Sequence, residues 1–308
     1  SSNRRRMVFL TYGGGALIQL VLGSLSTLGG GFGVLLVAGA ISNLLRSFDN
    51  ILVASFAQDL LEPHEFHQLT RIMELGRQGA TVLCGIVAGH LLSEDSVALI
   101  LLADASSFAL ALSLILGVVA VAVRPPRPAH DGPNTSALRE AFEYLRGRRR
   151  MLPYLSVTSL PALLVIAASM LYPLHFVEEL QVGAQEYGAL ASVYGCGAML
   201  SVLVVRVKRA GIKRSVLVRT AFGGFALCVM VTAVMNTLWA CYAAAAVLAM
   251  CHATVRIERN AFILEVIQRE WLARVTSFFE VASTVCLLIM LGSIGPVADR
   301  IGVQATWA

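Results

Sequence analysis

Arg46-Ser47-Phe48-Asp49-Asn50 lies inside one apolar run, and Arg256-Ile257-Glu258-Arg259-Asn260 lies inside another, 210 residues further on. Outward from these two stretches the neighbouring segments repeat as well. Upstream, Arg4, Arg5, Thr11, Gly14 and Gly15 correspond at a shift of 209 to Lys213, Arg214, Thr220, Gly223 and Gly224. Downstream, Gln58 finds Gln268 at a shift of 210, and Arg71, Thr81, Val82 and Gly89 find Arg274, Thr284, Val285 and Gly292 at a shift of 203. Three apolar segments recurring in one order are the pattern of a membrane transporter built from two parallel halves, with its substrate site between them. Any single pair of small apolar residues arises readily by coincidence, whereas the ordered set favours a true repeat.

Composition sets the class. Hydrophobic residues make up 57% of the chain and charged residues 14%, against about 25% charged in ordinary soluble domains. Mean hydropathy is +0.74, so the sequence predicts an all-α integral membrane protein. A spanning helix needs roughly 20 mostly apolar residues, which predicts nine spans, over 7–28, 32–55, 69–92, 97–123, 153–176, 187–205, 215–235, 238–255 and 275–294. The six cysteines all fall within these apolar runs, without the paired spacing of a zinc or redox motif. They predict packing residues, with no metal or cofactor. The first apolar run follows three arginines and lacks a small-residue cleavage site, so it reads as a span and not as a signal peptide.

Basic residues gather at every second connection and the helix ends beside it, at 4–6, 71 and 77, 124–150, 206–219 and 256–274. The intervening connections carry Glu94, Asp95, Glu178 and Glu179. The positive-inside rule places the basic connections in the cytoplasm. Net charge +5 thus reflects topology, and no nucleic-acid partner is expected. The one long polar connection, 124–152, opens with Pro125, Pro126, Pro128 and Pro133 and closes with Arg146, Arg148, Arg149 and Arg150. It divides an N-terminal half (1–123, four spans) from a C-terminal half (153–308, five spans). Within it, Ser136 is placed to cap a helix whose Leu138, Ala141, Phe142 and Leu145 form one apolar face. Such a helix is expected on the inner membrane surface, its arginines near anionic headgroups. Gly85 and Gly89, and the cluster Gly13 to Gly15, mark points where helix backbones can approach.

The order of segments resembles the major facilitator superfamily, most closely its bacterial exporter branch of enterobactin exporters and macrolide efflux pumps. The residues carrying this resemblance are Arg4 to Leu10, the Asp-Ala-Ser-Ser-Phe run from Asp104 to Phe108, Ser136 to Leu145, Leu171-Tyr172-Pro173, Gln185 to Gly188 and Ala273-Arg274-Val275. The resemblance implies a helical bundle of two pseudo-symmetric halves in which the nine spans are helices three to eleven of twelve, so that helices at both ends are expected outside this sequence. The Gly and Asp that open the family's loop before Arg4 are absent. The Gly-x-Val-Ala-Asp-Arg-x-Gly string at 295–302 is read as a loop echo on the outer side.

Charges inside a bilayer cost roughly 2.5 to 3.5 kcal/mol on insertion scales and therefore face a partner or an aqueous cavity. Arg46 and Asp49 share a helical face, either as an ion pair or in substrate or proton coupling. His252 and Arg256 share another, where a histidine suits a proton relay or a hydrogen-bonded packing role. Glu258 is placed to offset Arg256 and Arg259. Asp104, with Ser106 and Ser107 nearby, is structural by the resemblance. Arg77 and Glu280 occupy equivalent repeat positions with opposite charge, which suggests gating. His64, Glu65 and His67 make up a fragment of a metal site but read as solvated loop residues.

Together these features predict a multi-pass transporter of the bacterial inner membrane, not an enzyme. It would export a small organic molecule, such as a siderophore, macrolide or other drug-like compound, by alternating access, with protons as coupling ion in an antiporter whose phenotype is efflux or antibiotic resistance. No Gly-x4-Gly-Lys-Ser/Thr loop is present to serve an ATP motor within the chain. The alternatives are a membrane-embedded acyltransferase using His90 and Asp95, and a non-transporting or truncated relic.

Overall fold

A backbone inside a bilayer must satisfy its own hydrogen bonds, and each described apolar run folds as a helix. The computed structural model describes residues 9–27, 37, 41–42, 45, 62–93, 97–121, 137–148, 150–178, 180–207, 211–234 and 237–301. A π-helical turn (Phe9–Gly13) leads into α1 (Gly14–Thr27), and a 3-10 turn (Pro63–Glu65) leads into α2 (Phe66–Ser93). There follow α3 (Val97–Val121), α4 (Ala137–Arg146), α5 (Met151–Glu178), α6 (Ala184–Val207), α7 (Arg214–Val234), α8 (Leu238–Val266) and α9 (Arg269–Ile301). Among the described residues every regular element is helical.

Local chemistry sets several of these boundaries. Before α2, Pro63 stands at the first helical position, where a missing N–H costs nothing, and the Glu62 N–H donates to the Glu65 carboxylate at 2.9 Å. At the start of α6 the Gly183 N–H donates to the Glu186 carboxylate at 2.9 Å, the reach-back of a capping box. Pro173 inside α5 cannot donate to the carbonyl four residues earlier. That carbonyl, of Ser169, accepts instead from the Tyr187 hydroxyl of α6 at 3.3 Å.

Among the described residues six helices are long and apolar enough to cross a membrane: α3, α5, α6, α7, α8 and α9. Of the other three expected spans, 7–28 contains a shorter apolar helix, Phe9–Leu25, and 32–55 lies almost wholly outside the described residues. The run 69–92 falls in α2, whose first turns carry Arg71, Glu74 and Arg77 and lower its apolarity. Leu110, Leu114, Leu288 and Ile289 are exposed on α3 and α9, as lipid-facing positions are. Residues 295–301 of the Gly-x-Val-Ala-Asp-Arg-x-Gly string are not a loop, because α9 runs unbroken through Pro296 to Ile301. α2 and α9 begin at Phe66 and Arg269, 203 residues apart, the shift read from the sequence.

Contacts divide the chain into two compact units. One holds α1 and α3, which pack together with Gly15 against the Phe108 ring; a Cβ there would stand 2.8 Å from Phe108 Cδ1. In the same unit Gln19 donates to the Ser42 hydroxyl at 2.5 Å. The other holds α2 and α4 to α9, with α6 and α8 at its centre. α4 docks on α9, burying Ala141 and Leu145 fully and setting Phe142 against Phe278, 6.1 Å between ring centres.

Candidate functional site

α2 carries its polar and glycine residues on one face. Thr70, Glu74, Gln78, Gly85 and Gly89 recur at helical intervals and are buried, while Ile72, Leu75, Leu83, Ile86 and Val87 point outward. The buried face packs along α6 and reaches α8. An inside-out helix of this kind belongs in lipid, where apolar side chains gain nothing from facing inward and polar groups need partners.

The first turns of α2 enter an ion network. Arg214, at the start of α7, donates through Nε to Glu258 of α8 at 2.9 Å and through Nη2 to Glu265 at 2.8 Å. Glu258 is fully buried. The His67 Nε2 stands 2.9 Å from Arg214 Nη2 and 3.0 Å from Glu265 Oε1. One imidazole nitrogen either accepts from the guanidinium or donates to the carboxylate, so the proton on His67 selects between these two contacts. Two turns further along α2, Glu74 receives a bidentate bond from Arg256 of α8, with Nε to Oε2 at 3.0 Å and Nη2 on Oε1. Glu74 Oε1 also accepts from Gln78 at 2.9 Å. The fork geometry of guanidinium and carboxylate makes this the strongest class of ionic hydrogen bond.

One turn before Arg256 on α8, buried His252 meets the Tyr194 hydroxyl of α6 through Nδ1 at 2.6 Å and the Phe225 ring of α7 edge-on. Its Nε2 has no partner among the described residues. Arg256, Arg77 and Arg259 lie within electrostatic reach of this ring. Arg259 lies over the Phe279 ring at 5.9 Å, and Glu280 acts on it electrostatically. Four arginines (77, 214, 256, 259) thus stand with four glutamates (74, 258, 265, 280), a balance that lets buried charges persist. Beyond Phe225 an apolar cavity of about 170 Å³ is lined by Leu164, Leu171, Phe225, Leu248, Met290 and Ile294, among other apolar side chains.

At the far end of the same α2 face, glycine replaces charge. A Cβ on Gly85 would stand 2.5 Å from Ser192 Oγ and 2.7 Å from the Gly188 carbonyl. One on Gly89 would stand 2.9 Å from Gly188 Cα. The expected close approach at Gly85 and Gly89 is therefore made, with α6, and the Ser192 hydroxyl bridges it by donating to the Val82 carbonyl at 2.9 Å.

The structure brings His252, Arg256, Arg77 and Glu280 into one neighbourhood. Asp104 belongs to the other compact unit, where the Ser107 hydroxyl donates to the Asp104 carbonyl at 2.8 Å and stands 3.5 Å from its carboxylate, while Ser106 turns to the Leu102 carbonyl. Arg46 and Asp49 lie outside the described residues, as does Asp95, the partner required of His90. Two readings change. His67 is a network member on the first turn of α2, not a solvated loop residue. Glu258 serves Arg214 across helices, because neighbours one or two positions apart on a helix do not face each other. Glu74, Tyr194 and Glu265 were not singled out from sequence, and Arg214 only as the repeat counterpart of Arg5.

Residues 2–303 match the Major Facilitator Superfamily. Among curated proteins none matches the sequence. Among solved structures, the chain is similar to a bacterial homologue of the iron transporter ferroportin in its outward-facing state. Identity is 15% and the TM-score 0.67, over 99% of this chain and 80% of that one. A second structure of such a homologue, outward-facing with soaked iron, matches at 15% identity and a TM-score of 0.55 over 99% and 79% of the two chains.

Proposed function

The chain belongs to the Major Facilitator Superfamily, and from that premise we propose that it is a proton-coupled secondary transporter of the bacterial inner membrane that exports a small organic molecule by alternating access. Family membership and the transporter folds it resembles speak for transport and against acyl transfer. The halves are 1–123 and 153–308, joined by the cytoplasmic linker 124–152. The observation that carries the reading is the ion network, since it ties α2, which precedes the linker, to α7 and α8, which follow it. On the positive-inside rule this end is cytoplasmic. A network that closes the cytoplasmic side must come apart each time cargo enters from that side, and its histidine offers protons a way to bias the break.

The apolar lining beyond Phe225 supports an organic cargo. Its class is a siderophore, a macrolide or another drug-like compound, handled by antiport with protons. Iron itself is the competing cargo, taken from the two structural neighbours. Flux in proteoliposomes separates them. A pH gradient should drive accumulation of a labelled lipophilic cation, macrolide or siderophore, and collapsing the gradient should stop it. Gradient-driven movement of radioactive ferrous iron, with none of the organic probes moved, would replace the organic reading by the metal one.

A further inference from the structure

We propose a second ligand site on this chain, a pocket at the basic end of the bundle that holds the phosphate of an anionic membrane lipid. It lies where the linker helix α4 turns into α5, and α8 ends beside it. Arg148, Arg150, Met151, Tyr154, Phe262 and Val266 line a cavity of about 500 Å³. The inference needs only that the chain is embedded in a bilayer, and it is independent of the cargo.

Arg148 is held ready for an anion. Its guanidinium lies 4.1 Å above the Tyr144 ring, and Tyr144 stacks on Trp271 with 4.6 Å between centres and 17° between planes. Arg274 lies over Trp271 at 5.2 Å and is neutralised by Glu140 at 2.9 Å. Among the described residues Arg148 has no such carboxylate. Its Nη1 is buried without a hydrogen-bond partner among the described residues, and so is the Tyr154 hydroxyl. Two buried donors left open in one pocket cost stability unless an acceptor fills them. A stacked guanidinium keeps its planar fork free for a phosphate, and exposed Arg150 adds a second charge at the rim.

The remaining walls say what carries the phosphate. Met151, Phe262, Val266 and the Tyr154 ring, which packs on Phe262 at 4.6 Å, form an apolar surface beside the two arginines. Free phosphate has no use for such a surface, whereas a phospholipid presents a charged headgroup and a hydrocarbon chain together. Met151 is the first residue of a membrane-length helix, which puts the pocket at headgroup depth, where basic pockets between spans take anionic lipids. Phe262 also lies 5.7 Å from the Arg214 guanidinium, so an occupied pocket abuts the ion network.

Delipidated, purified full-length chain, in detergent with added lipid, tests the site by native mass spectrometry and thermal melting. Phosphatidylglycerol should be retained and should raise the melting temperature, phosphatidylcholine and millimolar inorganic phosphate should do neither, and Arg148→Gln and Arg150→Gln should each weaken retention about fivefold, the worth of one basic residue at an anionic surface. Arg139→Gln, on the exposed side of α4 in a pair with Glu143, should leave it unchanged. If Arg148→Gln fails to fold, the exposed Arg150→Gln and the charge-conserving Arg148→Lys carry the test. Equal retention of phosphatidylcholine, retention untouched by Arg150→Gln, or saturation by inorganic phosphate alone would each overturn the assignment.

Discussion

Glu74→Gln isolates the ion pair between α2 and α8. The Glu74 side chain is 4% exposed and that of Arg256 16%. The substitution keeps shape but leaves a guanidinium without its carboxylate in a region that excludes water. Removing one partner of a buried pair costs about 3 to 5 kcal/mol. If the bond exists only while this end is closed, the whole cost falls on the closed state. At 1.4 kcal/mol per tenfold change, even the lower figure shifts the closed-to-open ratio by about a hundredfold. Thr70 is buried on the same face of α2 and serves as reporter. In a background without the six native cysteines, labelling of Thr70→Cys from the side of the basic connections should accelerate by about that factor in Glu74→Gln. Combining Glu74→Gln with Arg256→Gln should recover much of the closed population, because no charge is then left alone. Unchanged labelling in well-folded Glu74→Gln, or a double variant that merely adds the two single effects, would refute a closing role for the pair.

Two further outcomes follow from the packing. Gly188→Ala should destabilise by about 1 to 3 kcal/mol, as overpacking does, since its Cβ would press on the backbone of Gly85 and Gly89, which cannot rotate away; Gly76→Ala, with open space around it, should gain about 0.5 to 1 kcal/mol, and thermal melting in detergent compares them. Tyr194→Phe removes the 2.6 Å bond to His252 and should cost about 1 to 3 kcal/mol, the penalty of a buried polar group left unbonded; a melting temperature equal to wild type would mean that the ring finds another partner.

The helices and the family were readable because both rest on local signals: apolar length, proline and charge at connections, and motif order. Arg256 and His252 were readable for the same reason, as polar residues in an apolar run. Glu74 was hidden because it sits between Arg71 and Arg77 and looks like part of a charged helix end. Its role depends on which helix α2 meets, and that is a tertiary fact. A signal did exist: Thr70, Glu74, Gln78, Gly85 and Gly89 share one face, while Ile72, Leu75, Leu83, Ile86 and Val87 lie on the other. His67 was misread for a related reason, since the two groups that order it lie 147 and 198 positions away in sequence. Arg77 and Glu280 were read as equivalent positions of the repeat, and the groups they act upon, His252 and Arg259, are again tertiary facts.

The glycine contact between α2 and α6 has a mechanical meaning. Where two backbones touch with no side chain between them, they can tilt about the contact but cannot slide through one another, so in a moving transporter Gly89 and Gly188 would serve as a fulcrum. Glu74 stands 15 residues away along α2, about 22 Å at 1.5 Å per residue. A tilt of only about 10° at the fulcrum swings that end of the lever by about 4 Å, enough to part carboxylate from guanidinium. Small rotations at the tight end would thereby become full separation at the ionic end, with neither helix needing to bend.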